Sequence, residues 1–358
     1  MTEKVTELLK KKNLDAILIS DGYNMRYLSG FGGATGYLYI SADQKVLMTD
    51  SRYTTQAKQE APKFAVVEVS TEKGYRELIT ECIRKDQAKT IGFEDQQMIC
   101  ADFKKISSPT KDEATWMELG EEVNLLRCIK TEEELEKVAK AEAIGDQAFQ
   151  KILGDIKPGV TELTIAAKLD YYMRELGAEG NSFDTIVASG LHSAMPHAVP
   201  TAKKLEKGDF ITMDIGALLD GYHSDMTRTV CVGTPTEKMK SVYEVVRQAQ
   251  AAALQAARAG ITGKALDAIA RDIITAAGYG KQFGHSLGHG VGMDIHEYPN
   301  AAPSSHVSLE PGNVVTIEPG IYLPGEFGVR IEDFVAITET GCRNLTAVTP
   351  DLICIPAK

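Results

Sequence analysis

The feature that most constrains this chain is a weak internal repeat in its C-terminal two-thirds. Gly159-Val160-Thr161 is answered by Gly260-Ile261-Thr262, and each triplet opens a helical pattern that stops at a glycine, Gly177 or Gly278, all displaced by 101. His197-x-x-Pro200 is answered by His296-x-x-Pro299. The sharpest match sets Leu205–Gly216 against Leu309–Gly320, where Leu, Glu, Gly, Thr, an acid and Gly agree at an offset of 104. The matches keep one order in both copies, which argues a real duplication over chance similarity of two strand-turn segments. Two copies, each giving helices and a hairpin, imply an α+β domain with a pseudo-two-fold repeat.

Each copy carries acids on its hairpin. In the first, residues 210–216 run out, Asp220-Gly221 turns and residues 223–232 return. Asp214 and Asp225 are symmetric about position 219.5 and are expected to face each other across the ladder. In the second, residues 314–321 run out, Pro324-Gly325 turns and residues 328–337 return, with Glu318 and Glu332 symmetric about position 325. The repeat brings these two pairs to one axis. Their neighbours are apolar (Ile211, Met213, Ile215, Val315, Ile317, Ile331), so four converging carboxylates would be very costly without cations. Solvated, separate acids would need exposed hairpins. Four shared carboxylates suit two divalent cations about 3.5–4 Å apart.

A neutral imidazole is the expected fifth ligand. Glycines on both sides of His289, in Gly284-His285-Ser286-Leu287-Gly288-His289-Gly290-Val291-Gly292, let the backbone come close to such a site. A lone histidine is more often structural. The loop lacks the Lys-Ser/Thr of a phosphate-binding loop and the strand-loop-helix setting of a dinucleotide site.

The first third alternates. A helix is expected over 2–12, strands over 15–20, 36–41 and 45–50, a helix near 51–60, a strand over 64–69, a helix near 74–83 and a strand over 90–94. That order argues an α/β domain. A length of 358 residues exceeds what one core usually supports, and the boundary falls near 123–130, giving domains 1–125 and 126–358. Thr131-x-x-Glu134 is a capping box opening the second. The first histidine is His192, which excludes histidine chemistry from the first domain.

A net charge of −11 opposes non-specific binding to nucleic acid or an anionic membrane. There is no run of 18 apolar residues to span a bilayer, and the N-terminus reads as a helix of the fold, not a signal peptide. Six cysteines without a C-x-x-C pair read as free buried thiols in a reducing cytoplasm.

Ser286–Gly292, His296-Glu297-x-Pro299, Asp214-Ile215-Gly216, Ser224–Thr229, Thr316–Gly320 and Val329–Asp333 together resemble the pita-bread metallopeptidase family, in its branch of Xaa-Pro aminopeptidases and prolidases. The first domain resembles the creatinase-type N-terminal domain of that branch. The resemblance implies five metal ligands, Asp214, Asp225, His289, Glu318 and Glu332, with Asp225 and Glu332 bridging. It also implies pocket histidines His197, His285 and His296, and a supporting arginine, Arg330, which alternation puts on the strand face of Glu332. The family's cations are usually manganese or cobalt, sometimes zinc, and carboxylate-rich ligation favours manganese.

The implied reaction is attack of a metal-bridging hydroxide on the Xaa-Pro bond of a peptide with proline second, Glu318 passing the proton to the leaving nitrogen and His296 helping at the oxyanion. Tyr27–Phe31 with Gly33, and Thr49–Tyr53, look like the aminopeptidase version of the first domain, so an Xaa-Pro aminopeptidase is expected. The alternatives are a prolidase restricted to dipeptides and a non-catalytic binding module. The intact acids oppose a metal-free, creatinase-like amidinohydrolase, and methionine aminopeptidases usually lack the long first domain. The family is usually dimeric or tetrameric, and a homodimer is expected.

Overall fold

In the computed structural model, which describes residues 2–357, contacts divide the chain into two units that meet in sequence at Arg127 and Cys128. The first contains, in order, α1 (Thr2–Lys12), β1 (Ala16–Ile19), α2 (Gly22–Ser29), β2 (Tyr37–Ser41), β3 (Lys45–Thr49), α3 (Thr54–Glu60), β4 (Ala65–Glu68), α4 (Tyr75–Asp86), β5 (Thr90–Phe93), α5 (Cys100–Ser107) and β6 (Thr115–Glu118). The strands form one mixed sheet in the order β4-β3-β2-β1-β5-β6. β1 is the continuous apolar run Ala16-Ile17-Leu18-Ile19, wholly buried, as a central strand between two neighbours requires. Its antiparallel partner β2 turns tightly into β3, whereas the parallel pair β5 and β6 needs α5 as its crossover.

The sequence pattern did not announce α2, α5 or β6. α2 and α5 are eight residues each, too short for a clear 3.6-residue period. α2 is instead defined at its ends: Asp21 accepts from Asn24 N at 2.9 Å, and Gly30 stops it with φ of +89°.

The second unit repeats. Its first half is α6 (Glu132–Ile152), α7 (Glu162–Glu175), β7 (Gly180–Asn181), β8 (Ile186–Ser189), β9 (Phe210–Ile215), β10 (Ala217–Leu219), β11 (Tyr222–His223) and β12 (Met226–Val232). Its second half is α8 (Glu237–Ala256), α9 (Gly263–Ala276), β13 (Gly288–Gly290), β14 (Glu297–Ala301), β15 (Val314–Ile317), β16 (Gly320–Leu323), β17 (Phe327–Arg330), β18 (Asp333–Ile337) and β19 (Cys342–Asn344). β20 (Cys354–Ile355) returns beside β12.

The duplication is visible in individual bonds. Thr161 bridges to Lys204 and Thr262 to Ser308, and Gly159 N donates to Leu205 O as Gly260 N does to Leu309 O, each at 2.9 Å. Both threonines cap their helices, accepting from Thr164 N and Ala265 N. Each half has its own core. One gathers Ile165, Leu169, Ile211, Met213 and Val230. The other gathers Leu266, Ala270, Ile274, Val315 and Val335.

The first hairpin departs from the expected register. Asp220 and Gly221 have φ of +50° and +78°, a two-residue turn that centres the hairpin between them. Asp214 therefore sits opposite Thr227, and Asp225 lies two residues before Thr227 on the returning strand, nearer the turn and diagonal to Asp214. The second hairpin keeps its expected symmetry: Ile317 pairs with Asp333 and Gly320 with Arg330, which sets Glu318 level with Glu332.

None of the six cysteines forms a disulfide. Burial holds for Cys82, Cys128 and Cys231, Cys342 is intermediate, and Cys100 and Cys354 are exposed, so not all six are the buried thiols expected. Among the described residues no helix is long and apolar enough to cross a membrane.

Candidate metal centre

β9 delivers Asp214, the entry to β12 delivers Asp225, and β13 delivers His289. Glu318 follows β15 and Glu332 precedes β18. All five side chains line one cavity of about 680 Å³, together with His197, His285, His296 and Arg330. β13 can reach this place because Gly288 and Gly290 pack against backbone: a Cβ on Gly288 would run into Thr316 O, and one on Gly290 into Glu297 O.

Donor atoms of Asp225, His289 and Glu332 all lie within 4.8 Å of one another. His289 Nε2 is 3.4 Å from Asp225 Oδ2 and 3.5 Å from Glu318 Oε1. Its Nδ1 faces Gly290 O at 3.1 Å; a carbonyl only accepts, so Nδ1 carries the proton. Burial, aided by His296, pushes His289 down to about 4, leaving the ring neutral and its Nε2 lone pair turned towards two carboxylates.

The acids are as frustrated as the imidazole. Burial first, and then the charges of Glu332, Asp214 and Glu318, raise the Asp225 carboxyl well above the usual carboxylate range. Glu332 is raised by burial and by Glu318 and Asp214. Burial and Asp214 push Glu318 up to about 8. Asp214 Oδ1 is buried without a hydrogen-bond partner. A lone pair facing carboxylates, an orphaned carboxylate oxygen and mutually repelling acids are all relieved by cations between them, so these residues fit divalent metal.

The surrounding hydrogen bonds include residues that sequence patterns did not single out. Arg330 Nη2 donates to Asp214 Oδ2 at 2.7 Å, Nε to Thr227 Oγ1 at 3.0 Å and Nη1 to the Tyr322 hydroxyl at 2.8 Å. Thr227 Oγ1 donates to Glu332 Oε2 at 2.7 Å. His285 Nδ1 donates to Ser286 O at 2.8 Å, which leaves Nε2 to accept from Tyr322, 3.0 Å away. Strand alternation was the available signal for Tyr322: it follows Glu318 and Gly320 on one face, opposite Gly328. The His296 ring lies 4.3 Å from that of His289, and His197 is exposed at the cavity wall.

Comparisons with known proteins give the family. Metallopeptidase family M24 matches residues 136–339, and the Creatinase/Prolidase N-terminal domain matches residues 1–129. An Xaa-Pro dipeptidase of Pyrococcus furiosus is 40% identical over 365 residues, covering 98% of this chain and 99% of that protein. The solved structure of an Xaa-Pro dipeptidase from Bacillus anthracis has a TM-score of 0.95 at 39% identity, covering 98% of both chains. That of an X-Pro aminopeptidase from Thermotoga maritima has a TM-score of 0.90 at 41% identity, covering 96% of this chain and 98% of that one. With a creatinase-type first domain and a pita-bread second domain built from the repeat, the chain belongs to metallopeptidase family M24 and is a metal-dependent hydrolase.

Proposed function

We propose that this chain is an Xaa-Pro dipeptidase whose two divalent cations would be held by Asp214, Asp225, His289, Glu318 and Glu332. The observation that carries the metal part is the neutral His289 facing Asp225 and Glu318 inside a buried acidic cluster. The dipeptide part is supported by the Pyrococcus furiosus and Bacillus anthracis relatives, both named Xaa-Pro dipeptidase. The aminopeptidase reading drawn from the first domain gives way to this alternative, although the Thermotoga maritima structure bears the aminopeptidase name. Manganese is the favoured ion, since four of the five donors are hard carboxylates.

Cations at these donors supply Lewis acidity and lower the pKa of water. The chain's own groups do the rest. Glu318, ionised when it holds cations, is placed to take a proton at Oε from the attacking water and hand it to the leaving proline nitrogen. Arg330 orients Asp214, and with His285 it fixes the Tyr322 hydroxyl at the cavity edge. His197 and His296 offer imidazoles to the substrate. Phe183, Ile186, Val199 and Ile295 give the cavity an apolar wall for the proline ring and the Xaa side chain.

The test is a cleavage panel in manganese: Xaa-Pro dipeptides, their C-terminal amides and the matching tripeptides. Free dipeptides are expected to show the highest kcat/KM. Tripeptides cleaved as well or better would restore the aminopeptidase reading. No cleavage by protein carrying both cations would leave the binding module.

A further inference from the structure

The first positions of α7 and α9 are equivalent in the repeat, yet one is Glu162 and the other Gly263. Their backbones make the same two bonds. Glu162 N donates to Lys203 O and Leu163 N to Thr201 O; Gly263 N donates to Val307 O and Lys264 N to Ser305 O. In the second half the turn backbone closes directly on the helix, and a Cβ on Gly263 would run into Asn300 O and Ser305 Oγ. In the first half the corresponding space holds a carboxylate that is fully buried.

That carboxylate is divided between two ends of one loop. Oε1 accepts from Ser189 N at 2.7 Å and Ser189 Oγ at 2.8 Å. Oε2 accepts from Thr201 N at 3.0 Å and Thr201 Oγ1 at 2.7 Å. His192 Nδ1 lies 3.0 and 2.9 Å from the two oxygens. Between Ser189 and Thr201 runs the segment 190–200, which carries His197 to the cavity. The larger apolar side chains of the segment give it little anchorage: Leu191, Met195 and Val199 are 65%, 51% and 76% exposed, while the small Ala198 is buried. The segment is also tied to the second half by Gly328 N to Ser193 Oγ at 2.9 Å and Arg330 Nη1 to Pro196 O at 3.2 Å.

The second half closes the same turn without a carboxylate, so the turn itself does not require one. An acid in the first helical turn also stabilises the helix dipole, but that role needs neither burial nor bonds to both ends of a loop. We propose that Glu162 is a positioning residue for substrate binding, clamping both ends of the segment 190–200 so that His197 is held at the cavity wall. The proposal rests on the reading of that cavity as the substrate site.

The experiment combines a double-mutant cycle with hydrogen exchange. Glu162→Gln, His197→Ala and the double variant are assayed on an Xaa-Pro dipeptide in manganese, and exchange is followed in the metal-free protein. Glu162→Gln is expected to raise KM about tenfold or more with kcat within about threefold. It should cost nothing further in the His197→Ala background, because the clamp acts through His197. Faster exchange should be confined to 190–200. Thr201→Val removes one donor and keeps the carboxylate; it should show the same pattern more weakly, and it serves if Glu162→Gln does not fold. Equal losses in both backgrounds, or unchanged exchange over 190–200, overturn the clamp. Unimpaired kcat/KM in His197→Ala overturns the substrate reading of that wall instead, and this proposal with it.

Discussion

Arg330 and Asp214 form a partly buried ion pair across the repeat, Nη2 to Oδ2 at 2.7 Å, the arginine from the second copy and the acid from the first. The same guanidinium bonds Thr227 and Tyr322, so one side chain sets the orientation of groups from three strands. Groups that orient metal ligands commonly contribute 10- to 100-fold to metal affinity. Arg330→Met is therefore expected to weaken manganese binding by about 10- to 100-fold, read by calorimetric titration. Unchanged affinity would mean that Asp214 needs no such support.

Asp225 and Glu332 are the most confined acids of the cluster, each raised by burial and by neighbouring carboxylates. Asp225→Asn and Glu332→Gln keep the shape and remove the charge. Each is expected to abolish peptidase activity and to lower metal content from about two ions per chain. Elemental analysis of purified protein provides the count, and full activity in either variant would sink the dinuclear reading.

His296 packs against His289 without standing among the acids. His296→Ala is expected to retain its metal while kcat falls by about 100-fold, the lower end of the range for proton-transfer or oxyanion partners. If the ions leave instead, His296 is a ligand and the role of His289 must be reassigned.

Glu142 provides a pH prediction outside the metal centre. It is fully buried on α6, its Oε1 accepts from Thr346 Oγ1 at 2.6 Å, and its Oε2 has no partner. Burial first, and then the charges of Asp146 and Asp333, raise it to about 8, against the opposing effects of Thr346 and Arg228. The folded protein then holds a proton that the unfolded chain releases above the ordinary carboxyl range. Stability should fall as pH rises from about 4.5 towards 8, and level off above that. Glu142→Gln should flatten this slope, raising Tm at pH 8 and leaving it nearly unchanged at pH 4. Parallel melting curves for the two proteins across that range would exclude Glu142 as the source.

Much of the frame was legible because it is written locally. Thr161 and Thr262 cap, Gly177 and Gly278 stop, and Pro324-Gly325 turns; each acts within a few residues, so pattern and turn chemistry suffice. The same locality explains the slip in the first hairpin. Centring it one residue early set Asp214 against Asp225, whereas the positive φ at Asp220 and Gly221 sets it against Thr227. A one-residue change of turn centre moves a partner by two positions on the facing strand.

By itself, then, the sequence determined the two copies, their acids and the glycines that let His289 approach. Only the tertiary structure decided what those groups meet. Thr227 reaches Glu332, Arg330 reaches Asp214, and Arg228 reaches Asp333, across sequence separations of 105, 116 and 105 residues. No periodicity encodes such pairings. They follow from how two separately packed cores bring their sheets together, and inside that junction each buried polar group must find a partner or a cation, because water cannot supply one.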